Sequence, residues 1–331
     1  MRLFCQATTF PPPRGNHAAF RRQLRVRRRG RLWLCRCMRI TVQTPTTNGL
    51  GSVVMALASW QRDGIPVQLH PGDLGWQWRF GADVLADSLR VWSRDEEIVA
   101  IGFVDRAVVV DEAAVIRMAL APSVDQNDDV ARVLVRDLED SSTGLLPAGS
   151  ATVEARFGQA FRSLLDAHGW LPDEPWTPLH RDLTHAVEDC AMRVETVGPS
   201  HVEERVAVQG AAFARSTFTV DRWHTMTAGI PYQQARCLVG YDDEGVAVAA
   251  VTVWSAGPRR PGLLEPMGVH RDHRGGGNGT TITLAAAAAL REMGSSSAIV
   301  ATATSNKGAV ATYAAAGFDA APDVTDFRRP A

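Results

Sequence analysis

Residues 274–294 read RGGGNGTTITLAAAAALREMG. Three consecutive glycines stand at the mouth of an alanine-rich segment that has the composition of a helix, closed by Gly294. Glycine adds nothing to a packed core. It gives a backbone free to adopt positive φ and to approach a ligand closely. A helix N-terminus beyond such a turn presents unpaired N–H groups and a partial positive charge, which together favour an anion, phosphate above all. The alanines are read as structural, since small side chains let the helix lie close to a sheet.

Two phosphate motifs fail here. A dinucleotide fingerprint needs a third glycine where Thr280 stands, and a Walker loop needs Gly-Lys-Ser/Thr. The pattern that fits is R-x-x-G-x-G, as Arg274, Gly277 and Gly279, after the strand-like GLLEPMGV. This resembles the acyl-CoA signature of the GNAT superfamily of N-acetyltransferases. Downstream, NKGAVATYAAAGF resembles a second segment of that family at Asn306, Ala309, Tyr313, Gly317 and Phe318. Both motifs occur in order with a strand between them. The resemblance is clear over residues 235–320 and extends by element order to Met192.

The resemblance implies a fold and a site. The fold is α/β (α+β): two tandem GNAT-like domains, each a mixed, mostly antiparallel sheet flanked by helices. The strand before the glycine loop splays from its neighbour, and Pro266 and Gly268 suit a disrupted ladder. Acetyl-CoA, the implied co-substrate, is expected on Val269, Arg274, Gly275, Gly276, Gly277, Asn278, Gly279 and Thr280, with the N–H groups from Gly275 to Gly279 on its pyrophosphate and the N–H near Gly268 or Val269 facing the thioester carbonyl. Arg274 supplies charge or fixes the loop. Asn306 is expected to cap its helix and to touch the pantetheine. Tyr313 matches the family's general acid for the departing thiolate. Glu265 is the candidate base, with binding a cationic substrate or pairing with Arg259 or Arg260 left open. Phe218 and Trp223 are the acceptor-pocket candidates. His270 and His273 are read as surface or phosphate-side residues, and no metal is expected.

Outward from this segment, strands and helices alternate from Met38 to the end, and their order repeats after about 150 residues with little sequence identity. A divergent duplication accounts for this, with domains at 38–186 and 187–331. Aligning Gly169 with Gly317 puts Leu165 where Tyr313 stands and Gly158 where Asn306 stands. After VIRMALAP the first copy has SVDQNDD, with three acids and no glycine. Such a loop repels a diphosphate, so the first copy is expected to support the second and to wall its cleft. The segment HPGDLGWQWRFG is rich in Trp and Gly and is read as turn packing or as part of a binding surface.

Composition bounds the rest. Lys307 is the only lysine, and this arginine bias fits a GC-rich bacterial genome. Residues 1–37 hold ten arginines and no acid, leaving 25 basic and 36 acidic residues from Met38 onward. That arm is read as disordered or as upstream sequence foreign to the native protein, and the acidic body argues against nucleic acid. No apolar run reaches the ~20 residues of a membrane span. The five cysteines form no zinc-site pattern and fit a reducing cytoplasm. The expected activity is transfer of acetyl to a small amine by a monomer or homodimer. The alternatives are a non-catalytic acyl-CoA-binding module, or transfer to a thiol precursor similar to that of the tandem-domain mycothiol synthase.

Overall fold

The computed structural model describes residues 25–28, 31–34, 39–105 and 114–329. Two compact units emerge, 1–39 and 40–331. In the first, the described strands Arg25–Arg28 and Arg31–Leu34 pair antiparallel. The rest of the basic arm, and with it the expectation of disorder or foreign sequence, lies outside the described residues.

In the second unit, apolar runs with β-branched residues form the strands and alanine- or leucine-spaced segments form the helices, nearly where their periodicity predicts. The first half contains β1 (Ile40–Gln43), β2 (Leu89–Arg94), β3 (Glu97–Asp105), β4 (Ala114–Leu120), β5 (Ala151–Glu154) and β6 (Leu171–Asp182). Its helices are α1 (Leu50–Trp60), α2 (Pro71–Gln77), α3 (Ala82–Ser88), α4 (Asp128–Glu139) and α5 (Gln159–Ala167). The second half contains β7 (Arg193–Thr196), β8 (Ala235–Tyr241), β9 (Ala247–Ser255), β10 (Gly262–Val269), β11 (Ser297–Ala303), β12 (Asp319–Ala320) and β13 (Val324–Arg329). Its helices are α6 (Val202–Ala212), α7 (Val220–Thr227), α8 (Asn278–Glu292) and α9 (Lys307–Ala315). None of the described helices is long and apolar enough to cross a membrane.

All these strands join one 13-stranded sheet in the order β1-β2-β3-β4-β5-β13-β6-β11-β10-β9-β8-β7, with β12 beside β6. Only β4/β5 and β10/β11 are parallel. The duplicated order is thus real, but the copies interlock. The C-terminal strand β13 runs between β5 and β6. Reciprocally, the end of β6 (176–182) runs between β11 and β12. The segment WTPLHRDL therefore contributes strand pairing to the second half.

Three apolar cores result. One lies in the first half and takes in Phe327 from β13. A second lies under α8 and α9. The third lies under α6 and α7 on the opposite face and includes Trp254, Phe218 and Trp223, with Val67 and Trp76 packed against it from the first half.

HPGDLGWQWRFG is a helix rather than a connector. His70 caps α2 through its ring, which accepts from the Gly72 N–H, while Asp73 accepts from the His70 N–H at 2.6 Å. Burial pulls the His70 pKa down to about 4, so the imidazole is neutral, with its other nitrogen 3.3 Å from the Pro261 carbonyl. Gly72 and Gly75 let α2 lie directly on Trp254 of β9. A Cβ at Gly75 would stand 2.3 Å from that ring. Gly75→Val is therefore expected to cost about 1–3 kcal/mol by overpacking, read as a lower urea midpoint. By contrast, α6 starts at Val202 and His201 caps it without its side chain, so the Ser-x-x-Glu spacing of Ser200 and Glu203 forms no capping box.

Candidate active site

Strand β10 decides the geometry. It pairs with β11 only at Gly262 and Leu263, then diverges, which is the predicted splay. Against β9 its register slips: Val253 faces Leu264 while Val251 faces Met267. The extra residue makes a bulge at Glu265–Pro266. Strict alternation would put Glu265, Met267 and Val269 on one face. Across the bulge, Met267 and Val269 join the core under α8 and α9 instead. Gly268 faces α6, where a Cβ would stand 2.7 Å from Ala212 and 2.8 Å from the Phe213 ring. The Trp254 indole holds this bend by donating to the Glu265 carbonyl at 2.6 Å.

Beyond β10, Gly275 and Gly277 adopt φ of 82° and 86°, and Gly277 is the N-cap of α8. Among the described residues, no acceptor engages the backbone N–H groups from Gly275 to Thr280. They face a cavity of about 630 Å³ bounded by the mouths of α8 and α9 and the end of α6. Of the predicted contacts, Val269, Arg274, Gly275, Gly277, Gly279, Thr280 and Asn306 line it. Gly276 and Asn278 complete the loop, with the Asn278 amide donating to the His273 carbonyl at 2.9 Å.

The guanidinium of Arg274 fixes the loop: it donates to the carbonyls of Ala212 at 2.8 Å and Val269 at 3.4 Å. Arg271 does the same to Ala211 at 2.9 Å. Asn306 caps α9 by accepting from the Ala309 N–H at 3.2 Å while also lining the cavity. His273 lines the cavity too, beside Asp242 at 3.7 Å.

Tyr313 projects from α9 into the core, 6% exposed, its ring 5.8 Å from Phe318. Its phenol has no hydrogen-bond partner among the described residues. Burial, and then the nearby Glu265 charge, push its pKa up. Glu265 is pushed up to about 8, by desolvation first and by Asp73 second. The charges that act on it are those of Asp73, Arg117 and Glu154, rather than Arg259 or Arg260. Phe218 and Trp223 are core residues, 5% and 6% exposed, and do not line the cavity. The aromatic that does is Phe213, 40% exposed. Its place after the α6 helical run was a weak signal, because a lone aromatic at a helix end reads equally as core.

The first half has the corresponding elements without the space. β4 and β5 stay paired through Arg117 and Glu154. The mouths of α4 and α5 are tied together: Asp125 accepts from the Gln159 N–H at 2.9 Å and from the Ala160 N–H at 3.0 Å. Asn127 caps α4, Gly158 caps α5, and Leu165 is fully buried where α9 has Tyr313.

Residues 209–318 match the family model described as Acetyltransferase (GNAT) family. This match lies within the second half of the chain. No curated protein matches the chain. Among solved structures, a GCN5-related N-acetyltransferase from Sphaerobacter thermophilus aligns over 88% of this chain and 95% of its own, at 20% identity and a TM-score of 0.53. A tandem GNAT protein from the clavulanic acid biosynthesis pathway aligns over 88% and 98%, at 16% identity and 0.56. A GNAT-family acetyltransferase from Colwellia psychrerythraea aligns over 88% and 99%, at 16% and 0.55. Because these alignments span both halves, the fold is that of two GNAT-like domains in tandem. The N–H-lined cavity falls within the residues of the GNAT match.

Proposed function

We propose that this chain transfers the acetyl group of acetyl-CoA to the primary amine of a small molecule by direct attack within a ternary complex. The observation that carries this reading is the cavity itself: free N–H donors at an α8 mouth, continued along the edge of a splayed strand. Residues 38–186 are read as a front half that holds no coenzyme A, and 187–331 as the catalytic half.

In this reading the N–H groups from Gly275 to Thr280 hold the diphosphate, and Asn306 and Val269 flank the pantetheine. The Val269 N–H is directed to the thioester oxygen, where negative charge grows in the transition state. Glu265 takes the amine proton, directly or through one water, as the C–N bond forms. Tyr313 gives its proton to the thiolate as the C–S bond breaks. One proton is taken up and one delivered, so both groups reset by exchange with solvent. Desolvation suits both tasks: Tyr313 keeps its proton to give, and Glu265, at about 8, is basic enough to receive one. The free thiols Cys190 and Cys237 suit a reducing cytoplasm.

The test is a panel of primary amines with acetyl-CoA, following release of free thiol. Sustained turnover with at least one amine, and a product heavier by one acetyl group, is the expected result. Coenzyme A binding without turnover on any amine would reduce the protein to a binding module.

A further inference from the structure

Asp73 belongs to the front half, yet α2 lays it against β10 of the second half. Its side chain is 3% exposed. One oxygen accepts from the His70 N–H. The other, Oδ1, lies 2.8 Å from Arg117 Nη1 but accepts no well-aligned hydrogen bond. A buried carboxylate oxygen without a donor is costly. The Glu265 carboxyl lies within hydrogen-bonding reach of Asp73. Two carboxylates in contact do not both stay ionised, so a proton on Glu265 is the donor that Asp73 lacks.

The surrounding charges leave that proton in place. Arg117 on β4 bridges Asp73 and Glu154, the latter at 2.6 Å. Arg156 bridges Glu154 and Asp326 at 2.8 and 3.1 Å. Those two guanidiniums already serve three carboxylates before Glu265 is counted. Arg79, in the turn after α2, feels Glu265 but is stacked on Trp76 and Phe80, with Arg222 beside it. On α9, the phenol of Tyr313 stays neutral, through burial first and the Glu265 charge second.

We propose that Asp73 is a positioning residue of the transfer site, sharing one proton with Glu265 across the junction of the two halves. The front half then has a chemical task, setting the protonation of the catalytic half's base. This rests on the transferase reading for its purpose, whereas the shared proton itself does not.

The experiment is a carbon-13 NMR titration of carboxyl-labelled full-length protein, with Glu265→Gln and Asp73→Asn used to assign the two signals. Asparagine keeps an oxygen for the His70 N–H, and thermal melting checks the fold. In the parent protein, the Glu265 signal should shift over a window well above the ordinary carboxylate range. In Asp73→Asn the Glu265 midpoint should fall by about one pH unit or more. The acidic limb of kcat against pH should move with it, which the substrate's own amine cannot cause.

A Glu265 midpoint in the ordinary range, or one unmoved in a well-folded Asp73→Asn, overturns the proposal. Should that variant fail to fold, the Glu265 midpoint of the parent protein decides alone, and a value in the ordinary range overturns the proposal. If no amine is acetylated, the transferase reading falls while the titration still decides the carboxyl pair.

Discussion

Gly276→Asp should leave the fold standing and remove most of the affinity for coenzyme A. Gly276 is the one glycine of the 275–277 run without positive φ, and a Cβ there meets only the far end of the Asn278 side chain, at 4.0 Å. The new side chain therefore has room and strains nothing. It does bring a carboxylate to the loop whose unengaged N–H groups face the cavity. Losing one hydrogen bond to a charged phosphate, with added repulsion, is worth about 2–3 kcal/mol, roughly 30- to 150-fold in Kd. Isothermal titration with coenzyme A measures it, and Gly276→Ala is the control expected to bind normally. Unchanged binding by the aspartate variant would move the diphosphate elsewhere. The front half already carries a version of this experiment, since Asp125 stands near the corresponding helix mouths and binds the α5 N-terminus directly.

Tyr313→Phe should lower kcat by about 10²- to 10⁴-fold, the usual contribution of a positioned acid, with little change in the KM for acetyl-CoA. The ring is packed against Phe318 and the hydroxyl makes no hydrogen bond among the described residues, so phenylalanine should fold as well. The protonation argument has a definite sign. Burial and the Glu265 charge favour the neutral phenol, so its pKa lies above the ordinary ~10. Tyr313 therefore keeps its proton throughout the neutral range and contributes no alkaline loss of rate there. Glu265, pushed up to about 8, must lose its proton to act as base. The rate should rise with pH up to that region and then level. Steady turnover undiminished by Tyr313→Phe would remove the acid from the mechanism.

The glycine loop, the α8 helix and the Asn306–Tyr313 segment were legible because their chemistry is local. Positive φ at Gly275 and Gly277, the Asn306 cap and the alanine helix each depend on residues within a few positions. The splay of β10 was legible for the same reason, because proline and glycine weaken their own ladder. Phe218 and Trp223 lie in the core, and an aromatic near a helix start looks the same in sequence whether it faces a cavity or a core. Only packing against Trp76, Tyr232 and Trp254 separates the two.

The tandem α/β plan, the glycine loop at the α8 mouth and the phenol-bearing helix follow from the residues alone, because short-range backbone preferences and side-chain identity set them. The tertiary structure alone decided the exchange of β6 and β13 between the halves, the bulge that turns Glu265 toward α2, and the approach of Asp73 across 192 positions of chain. These depend on which surfaces meet, and the charge state of a half-buried carboxyl follows from the neighbours that such a meeting brings.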